Sequence, residues 1–484
     1  MSISGSLSNA MSGLNAASRG AEVVSANVAN AMTEGYGRRE LDTSSLSLGG
    51  NGAGVSVTGI HRSVDQPTIA QRRLVQASLG ADKSTASFYS RLETEIGLPD
   101  DPKSLTGQIA NLEASLIEAA SRPDSETRLN VVVTAASDLA DKFNSISDEI
   151  QTLRMEADQS ISNEVNLLND SLAKISKMNH DIRQFINGGQ DASALMDQRQ
   201  KLIDDVAEIV PLREIQRDHG QVALFTPGGA ILVDGKAATI GFSPVGVIVP
   251  EMSLGSGALS ALSINGRPVR VDGNGPLAGG SLAADFAVRD EYAVNMQSNL
   301  DAVARDMIER FQNPATDPTL AVTDPGLFTD GGAFFSATNE IGVAGRLSIN
   351  ALADPESGGS AWKIRDGIRA ATPGDVGQAA ILQSLSAALV TSKAPSSGGF
   401  GSGAFTAGSL AADFLTQNNQ QLQHAEADQA FSLARYDTLK TSELSQGVDT
   451  DHEMQRLLLI EQSYSANARV ITTIDQMIQT LLGI

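Results

Sequence analysis

The sequence predicts a mainly α protein with a β-rich insertion: an elongated rod of long coiled-coil-like helices, with N- and C-terminal helices paired around nested, discontinuous domains. Three observations predict it. Near the C-terminus, residues 448–484, Leu457, Ile460, Tyr464, Asn467, Ile471, Ile474, Ile478 and Leu481 recur at steps of three and four, a heptad seam. At the other end Ile3, Leu7, Ala10, Leu14, Ala17, Ala21, Val24 and Val28 repeat that spacing. Between them Leu129, Val132, Ala136, Leu139, Phe143, Ile146, Ile150, Leu153 and Ala157 keep a strict seam, which takes an extra four-residue step and resumes at Ile161, Val165, Leu168, Leu172, Ile175 and Ile182. Such an insertion is a stutter, which unwinds a coiled coil locally without ending it.

The N-terminal helix is expected to be weak alone. Gly13 and Gly20 lie inside it, each costing about 1 kcal/mol against alanine, and its stripe is rich in small alanines. Two amphipathic ends without a core of their own suit a protein whose ends fold as copies assemble. Residues 43–59 are rich in Ser and Gly, include GGNGAG, and read as a linker, with a short strand or extended connector around Val55, Val57 and Ile60. No Gly-Lys-Ser/Thr follows the glycines, so no phosphate loop is expected.

Helical periodicity returns over 66–96 and 104–120, each closed by a proline-bearing breaker. The next helix, 125–186, runs about 60 residues and spans on the order of 90 Å. Asn187-Gly188-Gly189 is a natural terminator, and 194–210 is helical again. The adjacent Asp204 and Asp205 cannot share a helix face and read as solvated charges. From residue 211 to about 280 short apolar runs, VALF, AILV and VGVIV, alternate with PGG, DGK and NGR turns, a hairpin texture. DGNG at 272–275 begins like a calcium loop but continues with Pro276 and Leu277, so a turn is expected. Helices follow over 281–311, 377–391 and 410–445, with Asp-Pro and Asp-Gly turns and a strand near 345–349 between the first two.

Composition bounds the function. The 484 residues allow two to four domains. Aromatics are 4% with one tryptophan, Trp362, so packing must lean on aliphatic side chains, which suits helices. Against 35 basic residues stand 57 acidic ones, a net charge of −22 that disfavours nucleic acid and anionic membrane as partners. Cysteine is absent, which removes disulfides and thiol chemistry. No basic and apolar leader of the cleavable kind opens the chain, and no run of 18 apolar residues occurs. His61, His180, His219, His424 and His452 are dispersed, with no zinc motif, nucleophile elbow or Walker loop. Hence no catalytic, cofactor-binding or metal-binding residues are assigned, and no enzyme is expected.

The ends carry a resemblance. Residues 4–40, SGSLSNAMSGLNAASRGAEVVSANVANAMTEGYGRRE, resemble the start of bacterial flagellar axial proteins: an amphipathic helix, then an Asn-x-x-Asn and Gly-Tyr turn, here Asn27, Asn30, Gly35 and Tyr36. Residues 463–484, SYSANARVITTIDQMIQTLLGI, are similar to the hook-associated protein 1 family of the hook–filament junction, as are LNDSLAKISKMNHDI at 168–182 and ALMDQRQKLIDDVAEIV at 194–210. Where the family carries proline before Gly-Tyr this chain has Glu34, which loosens the expected turn.

The resemblance implies a structural subunit that polymerises between hook and filament. The expected assembly interface is Ile3, Leu7, Leu14, Val24, Asn27, Val28, Asn30, Gly35 and Tyr36 together with the C-terminal seam. It implies a ring or tube of copies of this chain, contact with the hook protein and with the second junction protein, hook-associated protein 3, and an export chaperone on the C-terminal helix. It further implies an extracellular place in the flagellum, reached by type III export without cleavage. The domains are expected as 1–60 with 446–484 (terminal, inner tube), 61–210 with 281–445 (helical rod, with a loop and strand segment near 314–360) and 211–280 (β-rich, outer). A rod or hook protein of the same axial class, and a secreted enzyme or adhesin on a coiled-coil frame, are the alternatives.

Overall fold

The computed structural model describes residues 3–48, 51–273 and 275–483. The chain is 60% helical with a few small sheets. The glycines expected in the 43–59 linker at 49 and 50, the third residue of DGNG at 274, and Ile484 lie outside the described residues.

Helix α1 (Ile3–Ala29) is followed by a long antiparallel hairpin, β1 (Arg38–Leu48) and β2 (Asn51–Ser63), running from the Arg38↔Ser63 pair to Leu48↔Asn51. The strand expected around Val55, Val57 and Ile60 lies within β2, while the reading of the rest of 43–59 as a linker is corrected. β1 carries no sustained apolar alternation, so hydrophobic period two is faint there. What holds the ribbon is its ladder and α1, whose Ser12 hydroxyl accepts from the Val55 N–H at 3.1 Å.

Helix α2 (Gln66–Ile96) then packs along α10 (Ala407–Ser445), while α1 packs along α11 (Thr450–Leu482), so the first elements of the chain meet the last. Helix α3 (Leu105–Ser121) is capped by the Ser104 hydroxyl, which accepts from the Gly107 N–H at 3.1 Å. Helix α4 (Glu126–Asn187) is 62 residues long, opens on the Ser125 cap and stops at Gly188, with α5 (Ser193–Ile209) folding back on it.

The stutter in α4 marks a change of core. Up to Ala157 its seam packs with Leu92, Leu112, Leu300, Phe311 and Phe414 from α2, α3, α7 (Ala293–Phe311) and α10. From Ile161 it packs with α5, with Leu224 of β4 (Val222–Phe225) and Val233 of β5 (Ile231–Asp234), and with Leu282 and Phe286 of α6 (Gly280–Ala287). Segment 211–280 thus contributes its apolar side chains to a core shared with α4 and α5.

The small strands of that segment form an antiparallel meander, β3 (Arg213–Gln216), β4, β5 and β6 (Lys236–Ala237), and a three-stranded sheet, β7 (Ile240–Gly241), β8 (Ser263–Ile264) and β9 (Arg267–Pro268). The run VGVIV is a loop instead of a strand. Side chains of α4 take its backbone groups: Asp158 accepts from the Val245 N–H at 2.6 Å, and Arg154 donates to the carbonyls of Val249 and Met252 at 3.2 and 2.7 Å. At the stutter Arg289 and Asp158, both fully buried, pair at 2.6 Å. Arg289 belongs to a π-helical turn, Val288–Tyr292, between α6 and α7, and its guanidinium lies 4.8 Å from the Phe286 ring centroid. The later strands β10 (Phe328–Asp330) and β11 (Leu347–Ile349) pair with each other, and α8 (Trp362–Asp366) and α9 (Ala380–Val390) complete the first core.

Asp204 is not a solvated charge. It accepts from Arg73 at 2.6 Å and Arg72 at 2.9 Å, while Arg73 also donates to Glu214 and Arg72 to Glu443, so that α5 is joined to α2, β3 and α10. Its neighbour Asp205 is exposed, as the helix phase requires.

Candidate assembly interface

Helices α1 and α11 approach closely because α1 has no side chain at two contact points. A Cβ on Gly13 would lie 2.7 Å from Asn467 Nδ2, and one on Gly20 would lie 3.1 Å from Ile460 Cδ1. The two glycines that weaken α1 as an isolated helix are therefore where α11 seats. Around them Val24 and Ile474 are buried, and Ile3, Leu7, Leu14, Val28, Leu457, Ile460, Asn467, Ile471 and Ile478 are half-buried. Tyr464 and Leu481 depart from the expected seam: they are 46% and 62% exposed. A two-helix contact is narrower than a full heptad stripe, and these side chains fall beyond its edge.

At the root of the pair the expected Asn-x-x-Asn and Gly-Tyr residues form a polar latch. Asn27 is fully buried and saturated: its amide donates to the Arg39 carbonyl at 2.9 Å and to Glu453 Oε2 at 3.2 Å, and its oxygen accepts from Tyr36 Oη and the Arg39 N–H, each at 2.9 Å. Burial pushes the Tyr36 phenol above its ordinary pKa, with the Arg39 guanidinium, 5.0 Å from its ring centroid, acting against the rise. Asn30 plays a local part instead, its amide donating to the Ala26 carbonyl at 2.9 Å to close the last turn of α1.

Gly35 takes φ +80°, a conformation that favours glycine, and its carbonyl accepts from Arg62 at 3.1 Å. Glu34, standing where proline was expected, accepts from Lys440 of α10 at 3.2 Å. A side-chain contact thus ties down the turn that loses proline's fixed φ.

Sequence reading missed the partners of this latch. Glu453 is fully buried and accepts from Arg38 at 2.8 Å as well as from Asn27. Asp197 of α5 accepts from the Gly37 N–H at 3.0 Å, Arg39 at 3.2 Å and Arg62 at 2.6 Å, and Arg62 also reaches Gln200. One signal was available: Glu453 lies four residues before Leu457, on the seam face, where a charge needs a partner. Asp197 carried none, since its donors come from a hairpin more than 130 residues earlier.

Outside the seam α11 is largely exposed among the described residues. Leu459, Val470, Met477 and Leu481 form an outward stripe, 44% to 64% exposed. Among the described residues no group of three His, Asp or Glu could hold a metal ion, and no helix is long and apolar enough to cross a membrane. What the arrangement offers is a coupled pair of helices with an apolar outer face, rooted in the rod by charge-assisted hydrogen bonds.

Comparison with known proteins gives three family matches along the chain. Residues 90–317 match the flagellar hook-associated protein FlgK helical domain, residues 7–36 the flagella basal body rod protein, and residues 445–484 the C-terminal region of the flagellar basal body rod FlgEFG protein. The chain is 23% identical over 497 aligned positions to flagellar hook-associated protein 1 of Bacillus subtilis (strain 168), covering 94% of this chain and 93% of that one. It is 28% identical over 243 positions to flagellar hook-associated protein 1 of Salmonella typhimurium, covering 48% of this chain and 43% of that relative. Among solved structures, the flagellar hook junction protein FlgK from Burkholderia pseudomallei aligns with a TM-score of 0.43 at 18% identity, over 54% of this chain and 47% of that one.

Proposed function

From the premise that the chain belongs to the flagellar hook-associated protein 1 family and is a component of the hook–filament junction, we propose that α1 and α11 form the part of the subunit that polymerises. The family is a structural one, and the work done is mechanical. The observation that carries the reading is the outer face of α11: Leu459, Val470, Met477 and Leu481 repeat along one flank of the seam that α1 fills, and all four are exposed. Covering an apolar stripe of this kind with another surface is favourable in water. Neighbouring copies carrying the same stripe cover it as a tube closes, and the Asn27–Glu453 latch fixes the angle between that tube and the rod.

In this reading the hook protein lies on one side and hook-associated protein 3 on the other. Before assembly an export chaperone covers α11, and the chain leaves uncleaved by the type III route. A deletion strain of the parent bacterium tests the placement by electron microscopy of the cell surface and assay of filament protein in the medium. Bare hooks with filament protein shed are expected. Missing hooks would move the chain into the rod or hook, and normal filaments would overturn the reading.

A further inference from the structure

A second surface with mixed apolar and charged character lies on the rod. Helices α4 and α5 leave a groove of about 500 Å³ between them, floored by half-buried Met178, Leu195 and Leu202 and rimmed by exposed Lys174, Lys177 and Lys201. Asp181 and Asp205 also line it, so the lining holds three lysines against two aspartates. The chain as a whole runs the other way, with 35 basic against 57 acidic residues and ten lysines in all. Among the described residues the lysine ion pairs belong to Lys142, Lys393 and Lys440, so these three ammonium groups are uncommitted by salt bridges. Lysine stems of this sort extend an apolar wall while holding charge at its edge.

The matching surface is on α11. Asp451, Met454, Leu458 and Glu461 follow at steps of three, four and three and so share one helix face, beside the Leu457 and Ile460 side that meets α1, with Glu461 at the boundary between the two. Met454 and Leu458 are 49% and 56% exposed. The stripe presents two large apolar side chains between two carboxylates. Its ten-residue rise is about 15 Å, the same as from Leu195 to Asp205 along the groove.

We propose that the α4–α5 groove of one copy takes the Asp451–Glu461 stripe of α11 from a neighbouring copy, a contact that rests on the polymerising role given to α11 above. Met454 and Leu458 fill the floor while Asp451 and Glu461 face the lysine rim. The groove is continuous with the root of the terminal helices: a Cβ on Gly35 would lie 3.8 Å from the Cβ of Lys201. Groove and stripe are different surfaces of the same chain, so the contact is heterologous and propagates from copy to copy, as a ring or helical tube requires. The apolar stripe through Leu459, Val470, Met477 and Leu481 stays free for contacts between terminal helices.

The cysteine-free chain makes the test direct. Two otherwise wild-type chains, Leu195→Cys and Leu458→Cys, are co-expressed in the deletion strain, and purified hook–filament particles are oxidised. A disulfide-linked heterodimer is expected, absent when either chain is expressed alone. Lys174→Glu/Lys177→Glu/Lys201→Glu in the first chain should reduce that product at least tenfold, and Asp451→Lys/Glu461→Lys in the second should restore it. Both chains in the particles without the heterodimer would overturn the groove contact alone. Absence of the wild-type chain from such particles would overturn the junction reading and this inference with it.

Discussion

Asn27 and Glu453, 426 positions apart, meet in a buried hydrogen bond of 3.2 Å that joins the two ends of the chain. Glu453 is also held by Arg38, and Asn27 by Tyr36 and both polar groups of the Arg39 backbone, so the contact is the centre of a satisfied network. Removing one member leaves several buried groups unpaired, which costs more than the bond itself contributes.

Asn27→Ala is therefore expected to loosen the terminal pair by about 2–4 kcal/mol, with the rod unaffected. Limited proteolysis should cut within α1 and α11 much faster than in wild type while a resistant fragment from α2 to α10 persists. Equal resistance of the termini in both proteins would remove the latch from the account.

Ile471 lies half-buried on the side of α11 that meets α1. Ile471→Asp places a charge in an apolar contact and is expected to abolish incorporation into the flagellum, leaving the main thermal transition of the rod unchanged. Normal motility together with an unchanged melt would count against the role of this seam.

The Arg289 and Asp158 pair, fully buried at the stutter, also holds the Val245 loop. Arg289→Met leaves Asp158 uncompensated and should lower stability by about 3–5 kcal/mol, read as a drop in urea midpoint. The double variant Arg289→Met/Asp158→Leu should recover much of that loss. No recovery would mean that the packing of Arg289 on Phe286, not its charge, matters most.

Burial of Glu164 between α4 and α6, with Asp285 and Glu208 adding to it and Ser281 opposing, pushes its carboxyl up to about 8 from an ordinary 4.5. The folded chain then keeps a proton that the unfolded chain releases. This contribution to stability is fully present below pH 4.5 and is lost as pH rises to about 8, by at most ~1.4 kcal/mol per pH unit. Asp285, raised to about 6 by burial, adds in the same direction over the lower part of that range. Glu164→Gln should flatten the decline of thermal midpoint between pH 5 and 8 and raise the midpoint at pH 8. A parallel decline in both proteins would place the titration elsewhere.

Much of the architecture was legible in the sequence because helical period is a local property. The seam of α4, its stutter, the Asn187-Gly188-Gly189 stop and the stripes of α1 and α11 all follow from spacings of three and four within one segment. The β1–β2 hairpin was legible only around Val55, Val57 and Ile60, since β1 has no sustained apolar alternation and the ladder is made of backbone groups that every residue carries. VGVIV misled for the converse reason: a run of β-branched residues suits a strand, but Arg154 and Asp158 claim its backbone first.

The sequence by itself determined that the two ends are amphipathic helices, that the middle is a long helical rod, and that Asn27 and Tyr36 matter together. Only the tertiary structure decided what they touch. Gly13 and Gly20 read as weak points until Asn467 and Ile460 lay over them, and Asp204 read as solvated until Arg72 and Arg73 of α2 reached it. Spacing within a segment fixes which side chains share a face, because helix geometry repeats. The partner of that face is set by packing between segments hundreds of residues apart, where burial makes each unpaired polar group costly enough to select a single arrangement.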